Sequence, residues 1–169
     1  MDPSEHRVEH ILRVHQLVPY TLRGHCYRYL IECTGNLPHS LSPPLHRASR
    51  NARLEARQFL LNHGADIDAR NVFNRTALGY AAIEGHVEFA RMLLERGPVI
   101  DARDIGDEIP LHFAAEYGET QVAQLLLEHG VDVNARNKLG LTPSQLGSRE
   151  RDQEIVELLS VYVAKSVNQ

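Results

Sequence analysis

Ten histidines and two cysteines are the residues of this 169-residue sequence best equipped for metal or redox chemistry. His6 and His10 lie one helical turn apart, and with His15 or Cys26 nearby they could chelate zinc, which takes nitrogen and sulfur ligands in a tetrahedral array. No regular ligand set accompanies them, and the plain reading leaves them facing solvent. Cys26 and Cys33 invite a redox pairing. In a helix, however, they fall about two turns apart on one face, too far to bridge comfortably. Cysteines in an apolar stripe are ordinarily inert core residues.

Two further sets invite ligand chemistry. Arg70, Arg103 and Arg136 recur at constant spacing, and such a basic ladder suits a phosphorylated or acidic partner. Asp68, Asp101 and Asn134 lie two residues before them, and a row of solvated charges on one face is the commoner arrangement. Tyr80 and Phe113, taken alone, resemble aromatics on which bases stack. The sequence has no phosphate loop, dinucleotide fingerprint, nucleophile elbow or two-histidine zinc helix. No catalytic residue, resident metal or cofactor is implied, and the expectation is a protein that is not an enzyme.

Composition narrows the field. Hydrophobic residues make up 43% and charged residues 24%, which is the balance of a folded chain. Acids outnumber bases 22 to 18, a formal charge of −4. A general nucleic-acid binder needs clustered Lys and Arg, so no nucleic acid is expected as partner. No apolar run approaches the length of a membrane helix, and no membrane association is expected. The N-terminus lacks the charged-then-apolar layout of a secretory signal. An intracellular location, cytoplasm or nucleus, is expected.

The chain aligns with itself. Pro43-Pro44-Leu45-His46-Arg47-Ala48 recurs as Thr76-Ala77-Leu78-Gly79-Tyr80-Ala81, as Ile109-Pro110-Leu111-His112-Phe113-Ala114 and, worn, as Thr142-Pro143-Ser144-Gln145-Leu146-Gly147, each 33 residues after the last. Phe59-Leu60-Leu61-Asn62-His63-Gly64 likewise matches Met92 to Gly97 and Leu125 to Gly130. Ile67-Asp68-Ala69-Arg70 returns as Ile100 to Arg103 and Val133 to Arg136. Period and motif resemble the ankyrin repeat, whose unit is 33 residues and whose first helix opens Thr-Pro-Leu-His-x-Ala. The resemblance covers residues 38 to about 163. Ala77, Gly79, Ser144 and Gln145 depart from the motif.

The resemblance implies an all-α repeat solenoid of stacked helix-turn-helix units with projecting β-hairpin loops. Four units are expected, at 38–70, 71–103, 104–136 and 137–163, before a short tail at 164–169. Thr76 and Thr142 can cap first helices, and Pro110 and Pro143 suit the first turn, where no amide donor is needed. Second helices carry apolar residues at helical spacing, such as Phe89, Met92 and Leu93. Gly64, Gly97 and Gly130 end them. One such unit cannot bury its apolar face alone, so neighbours must stack. Tyr80 and Phe113 are then packed between units. His46 and His112 match the motif histidine, which in the family bonds neighbouring backbone, and Arg70, Arg103 and Arg136 fall where polar residues commonly serve the hairpins. Glu150, Glu154, Glu157 and Ser160 give the last unit a polar outer face, with Ile155, Leu158 and Leu159 packing backwards. At the other end Arg47 and Arg57 replace residues that are aromatic or small in later units, which points to a partly exposed first unit.

Residues 1–37 do not keep the period. Val8, Ile11, Leu12 and His15 form one amphipathic pattern and Leu22, Cys26, Tyr29, Leu30 and Cys33 another, read as an irregular helical cap or a docking segment. The family binds proteins through fingertips and the exposed face of its first helices, a concave palm. Carried across, those positions are Val72, Phe73, Arg75, Ile83 and Glu84 in the second unit, Ile105, Glu108, Glu116 and Tyr117 in the third, and Lys138, Leu139, Leu141, Arg149 and Glu150 in the fourth. Apolar anchors among mixed charges suit a protein partner. The expected function is stoichiometric binding of a partner protein, as inhibitor or scaffold, by a chain monomeric when free. An adaptor whose residues 1–37 dock to other machinery is the alternative, and a metal-dependent site at the N-terminal histidines is the alternative of another class.

Overall fold

The computed structural model describes residues 43–50, 54–150 and 152–167. The expectations for residues 1–37, including His6, His10, His15, Cys26 and Cys33, lie outside the described residues. Within them the helices are α1 (Pro44–Arg50), α2 (Leu54–Asn62), α3 (Ala77–Ile83), α4 (Val87–Leu94), α5 (Pro110–Glu116), α6 (Thr120–Glu128), α7 (Pro143–Glu150) and α8 (Gln153–Val167). Consecutive helices pair into four units on the 33-residue period. First helices α1, α3, α5 and α7 pack in series, and second helices α2, α4, α6 and α8 form the layer behind them. The last helix continues past residue 163 to Val167.

Each first helix is short, and three of the four start on a local side-chain hydrogen bond. Thr76 Oγ1 accepts the Gly79 amide at 3.3 Å. Where Ile109 replaces the threonine, the motif histidine serves instead, and the Ile109 amide donates to His112 Nδ1 at 3.3 Å. Gln145, in the histidine's place, takes the Thr142 amide on Oε1 at 2.9 Å. Thr142 therefore is not the hydroxyl acceptor that the sequence led us to expect; its own hydroxyl donates to Gln145 Oε1 at 3.4 Å. In the first unit the matching residue is Pro43, which has no amide hydrogen, and the buried Nδ1 of His46 has no hydrogen-bond partner among the described residues.

Small residues let the stack close. Ala81, Ala82, Ala114 and Ala115 are fully buried in α3 and α5. Gly147 continues that column: a Cβ there would meet Ile155 Cγ2 at 3.0 Å. Behind them Phe89, Leu93, Val122, Leu126, Ile155 and Leu159 fill the space between the layers with no exposed surface. Burial of side chains of this size stabilises by about 1.5–3 kcal/mol each relative to exposure. The last unit is capped as expected, with Glu154, Glu157 and Ser160 exposed and Ile155 and Leu159 buried.

The first unit differs from the expectation at Arg57. It is buried: Nε donates to the Ala48 carbonyl at 2.8 Å and Nη2 to the Ser49 carbonyl at 2.9 Å. Its guanidinium lies 4.8 Å from the centre of the Phe89 ring. The last carbonyls of a helix lack partners within it, and Arg57 supplies them for α1 while covering the next unit's aromatic face.

Candidate partner-binding face

Between units the chain projects three short fingers, each a single tight turn. Their bases are closed by Asn71 N–H to the Arg75 carbonyl at 3.1 Å, Asp104 N–H to the Glu108 carbonyl at 2.9 Å and Asn137 N–H to the Leu141 carbonyl at 3.0 Å. One turn is too short for a ladder, so no strand forms among the described residues and the expected hairpins are turns only. Inside each finger a buried side chain gathers the backbone. Asn71 Oδ1 accepts the Phe73 and Arg75 amides, Asp104 Oδ1 those of Gly106 and Glu108, and Asn137 Oδ1 those of Leu139 and Leu141, all at 2.6–3.1 Å. The fourth residue of each turn has positive φ: Asn74 at 60°, Asp107 at 59° and Gly140 at 73°. Asn, Asp and Gly tolerate that left-handed geometry best. The organising role of Asn71, Asp104 and Asn137 was missed in the sequence, although their recurrence after each ladder arginine was there to be read.

The first and third fingers are rooted on the first helices by the motif histidines; Gly79 stands at that position for the second. His46 Nε2 donates to the Arg75 carbonyl at 2.6 Å and His112 Nε2 to the Leu141 carbonyl at 3.1 Å. Burial holds both imidazoles below the ordinary histidine range, against the opposing pull of those same bonds. They are neutral structural groups.

Two of the three ladder arginines hold the next finger. Arg70 Nη1 donates to the Asn74 carbonyl at 3.1 Å and the Arg103 carbonyl at 2.8 Å. Arg103 repeats this on Asp107 and Arg136, at 3.0 and 2.9 Å. Asp68 and Asp101 accept the amides of Val99 and Asp132 in the following loop. These charges tie successive fingers together.

On this frame stand the residues singled out in the sequence. Val72 (56% exposed), Phe73 (49%), Ile105 (55%) and Leu139 (77%) are presented at the fingertips, and Tyr117 (55%) at the end of α5. Glu84 and Lys138 are also exposed. Ile83 is half-buried against the core. Arg75 and Glu108 are engaged between fingers: Arg75 Nε meets Asp104 Oδ2 at 3.0 Å, and Glu108 Oε1 accepts from Asn137 at 3.1 Å. Leu141 is half-buried, with its carbonyl held by His112, and Glu116 is half-buried. Arg149 and Glu150 lie at the end of α7, their side chains outside the described set. Below the tips, Glu119 closes over Gly85. Burial first, and then the Glu84 carboxylate, raise its pKa above the ordinary value.

The family model described as ankyrin repeats (many copies) matches residues 45–94, 80–127 and 111–159. The chain belongs to the ankyrin repeat family. No match to an individual curated protein was found. Ankyrin repeats are generally protein–protein interaction modules and are typically non-catalytic. Among the described residues, no three His, Cys, Asp or Glu side chains are gathered so as to hold a metal ion, and no helix is long and apolar enough to cross a membrane. The ankyrin units here thus expose Phe73, Ile105 and Leu139 at the fingertips and Tyr117 at the end of α5, on an internally bonded frame.

Proposed function

We propose that this ankyrin array binds a partner protein stoichiometrically through its finger and first-helix face, acting as an inhibitor or a scaffold. The observation that carries the reading is the exposure of Val72, Phe73, Ile105 and Leu139 at the fingertips and of Tyr117 at the end of α5, five of the seven exposed large apolar groups among the described residues. Exposed apolar groups in contiguous array cost solubility and mark interaction surfaces. Aromatic side chains such as Phe73 and Tyr117 lose little conformational freedom on binding and dominate interface energetics. Glu84 and Lys138 supply rim charge of both signs, whereas Arg75 and Glu108 act by stiffening the fingers. Binding to prebuilt fingers avoids the entropy of ordering a loop. The chain acts as a monomer until bound, and two cysteines in 169 residues suit a reducing compartment, cytoplasm or nucleus.

The test is affinity capture with the wild type and with a Phe73→Ala, Tyr117→Ala, Leu139→Ala variant, the fold of each checked by circular dichroism. A partner lost while the helical signal survives supports the face. Unchanged capture by the folded variant removes it.

A further inference from the structure

The fingers dock on one another in a single register, used twice. Onto the first finger the second brings three consecutive residues. The Arg103 carbonyl accepts from Arg70 Nη1 at 2.8 Å, the Asp104 carboxylate takes Arg75 Nε at 3.0 Å, and the Ile105 amide donates to the Phe73 carbonyl at 3.0 Å. The third finger repeats this on the second. The Arg136 carbonyl accepts from Arg103 Nη1 at 2.9 Å, Asn137 Nδ2 donates to Glu108 Oε1 at 3.1 Å, and the Lys138 amide donates to the Gly106 carbonyl at 2.8 Å. The incoming segment always offers a carbonyl, then a side chain, then an amide.

Among the described residues, the outgoing half of this pattern is unused at the third finger. Arg136 Nη1 donates only to its own turn, to the Gly140 carbonyl at 2.6 Å. The Leu139 carbonyl accepts no hydrogen bond among the described residues. Leu141 stands where Arg75 and Glu108 stand in the earlier fingers. The base of the array is closed at this end, because Asn134 Nδ2 donates to Ser166 Oγ at 3.2 Å and Tyr162 and Val163 of α8 pack on the core. The tip is open, and Leu139 is its most exposed apolar group.

We propose that the outward edge of the third finger docks an extended segment of a partner protein, in the register that the fingers use among themselves. This deepens the proposed function and rests on it. The segment's first residue gives its carbonyl to Arg136, and its third gives its amide to the Leu139 carbonyl. The residue between them is apolar. Arg75 pairs with an acid and Glu108 with an amide, whereas Leu141 can reward only an apolar side chain at that place. Main-chain bonds supply the register and the side-chain position supplies selectivity, as in strand addition at a sheet edge.

The probe is an acetylated, amidated threonine hexapeptide with one leucine at its third position, titrated into the isotope-labelled full chain and followed by NMR. Threonine favours the extended form. Shifts are expected at the amides of Leu139, Gly140 and Leu141. Replacing the leucine by aspartate, or N-methylating the residue after it, weakens binding by about three- to tenfold, the worth of one such contact. Leu141→Arg leaves the finger's backbone bonds intact and reverses the preference, so the aspartate peptide becomes the tighter. That gain cannot come from misfolding. Shifts centred on Phe73 and Tyr117, indifference to N-methylation, or no reversal in Leu141→Arg would each overturn the proposal. So would concentration-dependent self-association that blocks the peptide, since a second copy would then own the edge. If Phe73→Ala abolishes partner capture while the peptide behaves in any of these ways, the binding face stands and the edge alone fails.

Discussion

Arg75 and Asp104 meet across adjacent fingers at 3.0 Å, the carboxylate almost wholly buried and the guanidinium 4.6 Å from the centre of the Phe113 ring. Arg75, one of the expected partner contacts, is also a strut between fingers. Arg75→Ala strands a buried carboxylate and lowers stability by about 2 kcal/mol, the scale of a hydrogen bond to a charged group. Asp104→Asn costs less, because Oδ1 can still accept the Gly106 and Glu108 amides. Urea unfolding of the two variants checks the order, and equal losses would argue that the ion pair is idle.

The motif histidines predict a pH dependence with a definite sign. Burial lowers the pKa of His46 and His112 in the folded chain below the unfolded value of 6.5, and does the same to His86, which is no motif histidine but the residue just before α4. The unfolded state then binds more protons as pH falls, so stability is complete above that value and declines below it. Urea midpoints should fall between pH about 7.5 and about 5.5. His112→Gln should flatten that slope while lowering stability throughout; a slope unchanged by this substitution would place the titration elsewhere.

Gly118 and Gly130 both have positive φ, at 73° and 83°, but different surroundings. A Cβ on Gly130 meets nothing within 4 Å, whereas one on Gly118 meets Asp152 Oδ2 at 2.6 Å. Each alanine variant bears about 1–2 kcal/mol of left-handed strain. Gly118→Ala should be the worse of the two, because Asp152, whose carboxylate accepts the Ile155 amide at 3.3 Å at the start of α8, must move. Thermal melts of the pair read the difference.

Phe73 and Phe89 separate surface from core. Phe89 is fully buried beneath Arg57, and Phe89→Ala should cost about 3–5 kcal/mol. Phe73→Ala should change stability by no more than about 0.5 kcal/mol. A large loss at Phe73 would mean that it packs within the array and is no binding anchor.

The sequence by itself determined the period, the helix-turn-helix unit and the core. Leu45, Leu78 and Leu111 hold one repeat position and are buried alike, and Gly64, Gly97 and Gly130 end their helices in the same left-handed turn, because these depend on local patterning and backbone sterics that each unit carries within itself. It also marked the apolar fingertips. What the long polar side chains do was decided only by the tertiary structure. Arg57 reads as a partly exposed residue and is buried on α1 carbonyls; Arg70 and Arg103 read as serving their own hairpins, and the stack shows that each also holds the next finger. Gln145 reads as a lapse from the motif and caps a helix in the histidine's stead. A guanidinium or amide can reach several angstroms in many directions, and its partners here are main-chain carbonyls and amides, which every residue possesses and no sequence pattern distinguishes. Only the stacking of one unit on the next decides which of them comes within reach.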